Sequence, residues 1–87
     1  MHREAFKDIL DRLARVEGHI RSIKEMVSQE RECPDILIQI AAVRSALNQV
    51  GRIIMEEHIE TCVVEAFKEG KEDKAIADLK EALRKFI

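Results

Sequence analysis

The sequence predicts an all-α fold, a three-helix protomer with a long central helix, and three observations lead there. The composition suits amphipathic helices, with 46 % hydrophobic and 37 % charged residues, one proline and few aromatics. Apolar residues recur at spacings of three and four over three separate segments, and none alternates as a strand would. Finally, 87 residues laid out as long helices enclose a modest core, so such a chain is expected to self-associate. Residues 1–87 are read as one domain.

The first helix runs from Phe6 to Val27, with Phe6, Leu10, Leu13, Val16, Ile20, Ile23 and Val27 as its stripe and Ile9 and Met26 widening it. Gly18 lies inside and costs roughly 1 kcal/mol of helix propensity relative to alanine, which predicts a close packing partner there. The polar stretch Ser28–Glu32 ends the pattern. A second helix opens with "CPD": Pro34 suits a first turn, Asp35 suits the positive end of the helix dipole, and Cys33 falls at or beside the N-cap. Ile36, Ile40, Val43, Leu47, Val50 and Ile54 run down one face, and Leu37, Ala41, Ala42 and Ala46 supply another, predicting burial on two sides. The stripe passes Gly51 without a change of phase and continues to Phe67 and Glu69, with Gly70 as the stop. A third helix covers Glu72 to Phe86, edged by Ile76, Leu79, Leu83 and Phe86.

No apolar run reaches the length of a membrane span, and the charged start "MHREAFKDIL" does not fit a secretory signal. A cytoplasmic protein is expected, its two cysteines held as thiols. The net charge is −2, so any surface that attracts nucleic acid must be local. No nucleophile–base–orienter set or phosphate loop is present, and an enzyme is not expected.

The segment "HIETC" places His58 and Cys62 four residues apart, on one face of an α-helix, as two potential metal ligands. The other cysteine, Cys33, lies 25 residues before His58, about 37 Å along a straight helix. No side chain spans that distance. Two long helices packed antiparallel about a two-fold would bring Cys33 of one chain to His58 and Cys62 of the other, giving two equivalent sites. Two thiolates and one imidazole suit Cu(I); zinc would want a fourth ligand, such as water or Glu57. Taken singly, each reads more readily as a small buried thiol or an interface histidine extending the apolar stripe; only the combination on one helix puts the metal reading level with that one.

Three segments, "RLARVEGHIRSIKEM" (12–26), "CPDILIQIAAVRSALNQV" (33–50) and "EEHIETCV" (56–63), resemble the copper-sensitive operon repressor family. The resemblance implies a three-helix protomer in an antiparallel dimer with a four-helix-bundle core, dimers pairing into a homotetramer. It implies a transcriptional repressor that binds operator DNA without a helix-turn-helix and releases it when its effector binds. In the copper branch the residues matching Cys33, His58 and Cys62 hold Cu(I) across the dimer. Other branches sense nickel or cobalt, with an N-terminal histidine for which His2 is the counterpart here, or aldehydes and reactive sulfur species through the first cysteine. Glu32 stands where the copper branch often has tyrosine, and Asp78 where it often has glutamate; both positions are implicated in coupling the metal site to DNA. A metal-binding protein with no DNA role is the alternative from another class.

On a helical wheel Arg12, Arg15 and His19 fall within about 60° of one another beside the apolar stripe. They read either as a solvated face paired with Asp8 and Asp11 or as a set of phosphate contacts. Arg15 matches a family arginine implicated in operator binding. Arg44, Arg52, Lys24 and Arg21 are further candidates. With few aromatics and no recognition helix, backbone contact and DNA shape readout are expected.

Overall fold

The computed structural model describes residues 3–87, apart from the side chains of Ile59, Glu60 and Cys62. Helix α1 (Arg3–Ser28) and helix α2 (Cys33–Glu57) form a hairpin. A π-helical turn (His58–Val63) and a short helix α3 (Val64–Lys68) prolong α2, and α4 (Glu72–Phe86) folds back across the π turn. No strand occurs among the described residues. The result is a flat slab of 55 × 27 × 14 Å.

The two turns use the same device. After α1, Glu30 adopts a left-handed φ of 56° and the Arg31 amide donates to the Met26 carbonyl at 3.0 Å. After α3, Gly70 adopts φ 73° and the Lys71 amide donates to the Ala66 carbonyl at 2.8 Å. Both are Schellman caps, but only the second has the residue without a Cβ that this conformation favours. The sequence pattern marks the second stop and gives no hint of the first conformation. At the start of α2, Glu32 is the N-cap residue and Cys33 the first helical residue.

The fully buried residues lie in the hairpin seam. Ile9 and Val16 of α1 and Val50 of α2 are at most 7 % exposed. The α2 edge that meets α1 runs Ile36, Gln39, Val43, Ala46, Val50, all buried or half-buried. The opposite edge runs Cys33, Leu37, Ile40, Arg44, Leu47, Gly51, Ile54, His58, in alternating steps of four and three. Its Leu37, Ile40, Leu47 and Ile54 remain between 40 % and 58 % exposed. The expected burial on two sides is therefore met on one side within a single chain, and the faces divide differently from the sequence reading: Ile40 and Leu47 belong to the open edge.

The two glycines within helices behave in opposite ways. A Cβ on Gly18 would meet nothing within 4 Å, so the close partner expected there is not supplied by this chain. At Gly51 the ring of Phe86 from α4 sits where a Cβ would be. Gly51 does not break α2; it lets α4 lie down on it.

Candidate functional site

The metal-ligand candidates occupy the ends of α2. Cys33 is exposed in its first turn. His58 is half-buried at the start of the π turn. With 25 residues between them in one unbroken α-helix, ~37 Å apart at 1.5 Å rise per residue, the two cannot meet within one chain. The backbone of Cys62 lies in the π turn; its side chain is outside the described residues, as is the whole of His2.

The π turn was not foreseen. The sequence reading continues a regular α-helix through Glu69, whereas over "HIETCV" the backbone widens to i→i+5 bonding. Thr61 offers a physical reason. Its hydroxyl donates to the Glu57 carbonyl at 2.7 Å, competing for the acceptor that an α-helical ladder would give to the Thr61 amide. Such turns concentrate at functional sites because they re-aim side chains without ending the helix.

His58 lines a groove of about 440 Å³ between α2 and α4, together with Gly51, Ile54 and Met55 on one wall and Asp78, Leu79 and Phe86 on the other. His58 and Asp78 also line a second hollow beside Lys71 and Lys74. Asp78 thus stands on the α4 wall opposite the histidine, although its carboxylate is paired with Lys74 at 3.6 Å on an exposed face. Glu32, the other coupling candidate, is exposed beside Cys33, with no side-chain hydrogen bond capping α2.

The basic candidates of α1 gather separately. Arg12, Arg15 and His19 line a notch with Val16, Ala46 and Gln49, in the groove between α1 and α2. Arg12 donates through Nε to Asp8 at 3.0 Å and through Nη1 to Gln49 Oε1 at 3.2 Å. His19 Nε2 lies 2.6 Å from Gln39 Oε1, and since that oxygen only accepts, the imidazole donates. Arg15 is exposed and makes no ion pair among the described residues. Arg44 and Arg52 do not line this notch; Arg44 sits midway along the open edge of α2. Gln39 and Gln49 carry no signal in the sequence, since only the hairpin register brings them to the α1 cations.

An all-α hairpin with soft ligands at both ends of one helix and a cationic notch at its side fits few protein classes. Residues 5–85 match the family described as metal-sensitive transcriptional repressors. The chain belongs to that family. Members of this repressor family are regulators of transcription rather than enzymes. The chain is 42 % identical over 78 residues to the copper-sensing transcriptional repressor CsoR of Bacillus subtilis (strain 168), covering 90 % of this chain and 77 % of that protein. It is 46 % identical over 59 residues to the copper-sensing repressor RicR of Mycobacterium tuberculosis (strain ATCC 25618 / H37Rv), covering 68 % of this chain and 62 % of RicR. Among solved structures, the copper-sensing repressor CsoR with Cu(I) from Geobacillus thermodenitrificans NG80-2 superposes with a TM-score of 0.92 at 37 % identity, over 99 % of this chain and 90 % of that one. The nickel-responsive transcriptional regulator InrS superposes with a TM-score of 0.77 at 47 % identity, over 93 % and 91 % of the two chains. The all-α architecture read from periodicity is the architecture of this repressor family.

Proposed function

We propose that the protein is a Cu(I)-responsive transcriptional repressor, acting in the cytoplasm, that binds operator DNA when metal-free and releases it when Cu(I) binds. One observation carries this reading beyond family membership: Cys33 and His58 terminate the open apolar edge of α2 at opposite ends. Closing that edge against a second copy, antiparallel, covers Leu37, Ile40, Leu47 and Ile54 and puts Cys33 of each chain beside His58 and Cys62 of the other. The hydrophobic gain that drives association is then the same event that assembles the ligand set.

The donors fit the ion. Two thiolates and an imidazole are soft and borderline ligands, three in number, which favour Cu(I) over a hard cation and leave zinc one ligand short. Cys33 of one chain with His58 and Cys62 of the other would hold the ion, which would supply a link between protomers. The chain's own residues do the rest. The π turn aims the His58 backbone, Asp78 faces it across the groove, and the straight rod of α2 runs from these ligands past the notch that holds Arg12, Arg15 and His19. Those cations contact DNA phosphates, and pairing of dimers into a tetramer multiplies the contacts. By linkage, operator DNA weakens Cu(I) binding by the factor that Cu(I) weakens operator binding.

A nickel-responsive reading draws on the similarity to InrS. Titration of reduced protein with Cu(I) and with Ni(II) against competing chelators separates the two: tight stoichiometric Cu(I) and weak Ni(II) support copper, and the reverse overturns it. The function itself is tested by a mobility-shift assay on the DNA upstream of the protein's own coding sequence. Retardation by metal-free protein, relieved by Cu(I), is the expected result; binding that ignores copper would contradict it. His58→Ala is expected to retain Cu(I) on the two thiolates yet fail to release DNA.

A further inference from the structure

We infer that Gln39 and Gln49 of α2 are positioning residues for DNA binding: they aim Arg12 and His19 of α1 at the operator and make that aim depend on the position of α2. The inference rests on the proposed role of the α1 notch in contacting DNA. It adds residues that sequence pattern does not mark and that the notch does not itself require for charge.

The two contacts form a matched pair. Gln49 accepts from Arg12 Nη1 at 3.2 Å and Gln39 accepts from His19 Nε2 at 2.6 Å. Both cross from α2 to α1, and they bracket Arg15 and Val16 in the middle of the notch. Each glutamine offers an uncharged acceptor, so it orients its partner without neutralising it. Asp8 on Arg12 is the contrasting case, an ion pair at 3.0 Å that opposes phosphate contact by offering a rival anion. A long side chain left untethered loses rotamer entropy when it docks on a phosphate; one already held loses less.

The tether has a second consequence. Gln39 and Gln49 lie on the same helix as Cys33, Gln39 six residues after Cys33 and Gln49 nine before His58. When metal binding draws the two ends of α2 toward partner ligands, a shift of α2 along the seam moves both acceptors relative to α1. Arg12 and His19 are displaced together while their charge is unchanged. DNA release then requires no cation to be buried or neutralised, only two hydrogen bonds to lose register. The apolar side chains of the seam, such as Ile9, Val16 and Val50, cannot do this, because their contacts are non-directional.

The test uses Gln39→Ala, Gln49→Ala and the double variant in the full chain, with Arg15→Ala as the reference for a direct phosphate contact. Alanine is the better helix former, so α2 persists in each. Operator affinity is measured by fluorescence anisotropy at several salt concentrations, with and without Cu(I), and Cu(I) affinity by chelator competition. Each glutamine variant is expected to lower metal-free operator affinity by roughly three- to tenfold, the scale of one hydrogen bond to a charged group at a partly exposed site. The salt slope should stay near that of the parent, whereas Arg15→Ala should reduce it by about one. Cu(I) affinity in the absence of DNA should be unchanged. The factor by which Cu(I) weakens operator binding should shrink, because the copper-bound state has already lost the aim. A merely structural role would lower operator affinity equally with and without Cu(I), leaving that factor intact, and would overturn the inference. Parent-like operator affinity in the double variant, with Arg15→Ala impaired, would overturn it while sparing the notch as the DNA face. If Arg12→Ala, Arg15→Ala and His19→Ala all bind operator like the parent, the DNA face itself is misplaced and the inference falls with it.

Discussion

The inner edge of α2, from Ile36 through Val50, is satisfied within one chain, whereas the outer edge, from Cys33 to His58, is left open. The inner edge meets α1, buries Val50 to 3 % exposure and adjoins the two glutamines that reach Arg12 and His19 of α1. The outer edge has the same alternating three-four spacing, but α4 stands opposite only its last part, from Gly51 through Ile54 to His58, and Leu37, Ile40 and Leu47 stay exposed. One edge is closed within the chain; under the proposed function a second copy closes the other, and the candidate ligands Cys33 and His58 stand at its two ends.

The largest expected effect comes from charging the open edge. Ile40→Glu with Leu47→Glu places two carboxylates per chain in the middle of the proposed dimer seam, more than the single Arg44 there can pair, and costs on the order of 3 kcal/mol or more, about a hundredfold in association. Sedimentation velocity should show a monomer, and tight Cu(I) binding should vanish with the dimer. A variant that stays dimeric would separate the open edge from assembly and break the comparison. Val50→Ala on the inner edge is the counterpart. It should cost about 1–3 kcal/mol in thermal or denaturant unfolding while leaving the assembly state unchanged.

The two helical glycines sharpen the same contrast. Gly51→Ala must displace the Phe86 ring and is expected to cost about 1–3 kcal/mol by overpacking. Gly18→Ala meets open space in the chain and should gain roughly 0.5–1 kcal/mol of helix stability. If Gly18→Ala instead weakens a tetramer while the dimer persists, the close partner predicted at Gly18 is another copy of the chain. An effect of similar size is expected at the first turn, where Glu30→Gly removes a left-handed residue with a Cβ and should stabilise by ~1 kcal/mol, read as a raised Tm.

Periodicity was enough to place the three helical segments, the stop at Gly70 and the range of α4, because each depends on local spacing and a single capping residue. It was also enough to show that Cys33 cannot reach His58 along one rod. Three features were not legible. The π turn at "HIETCV" depends on competition between the Thr61 hydroxyl and its own helix for the Glu57 carbonyl, which leaves the apolar spacing unchanged. The division of α2 into a closed and an open edge depends on which of two equally apolar stripes α1 selects. The glutamine contacts depend on the antiparallel register, which pairs residue 12 with 49 and residue 19 with 39, and register is a tertiary property. The Cys33, His58 and Cys62 set was legible as chemistry, and helix length alone led from it to an antiparallel pair of chains as the arrangement that would assemble it.

The central claim is that the metal site is shared between antiparallel copies, and a mixed dimer tests it most directly. One chain carries Cys33→Ser and keeps His58 and Cys62; the other carries His58→Ala and Cys62→Ser and keeps Cys33. The two are co-expressed with different affinity tags, and the heterodimer is isolated by sequential purification. Each variant alone lacks a complete site. The shared-site account predicts that the heterodimer binds one Cu(I) per dimer with parent-like affinity in chelator competition. A heterodimer that binds Cu(I) no better than either homodimer would contradict it.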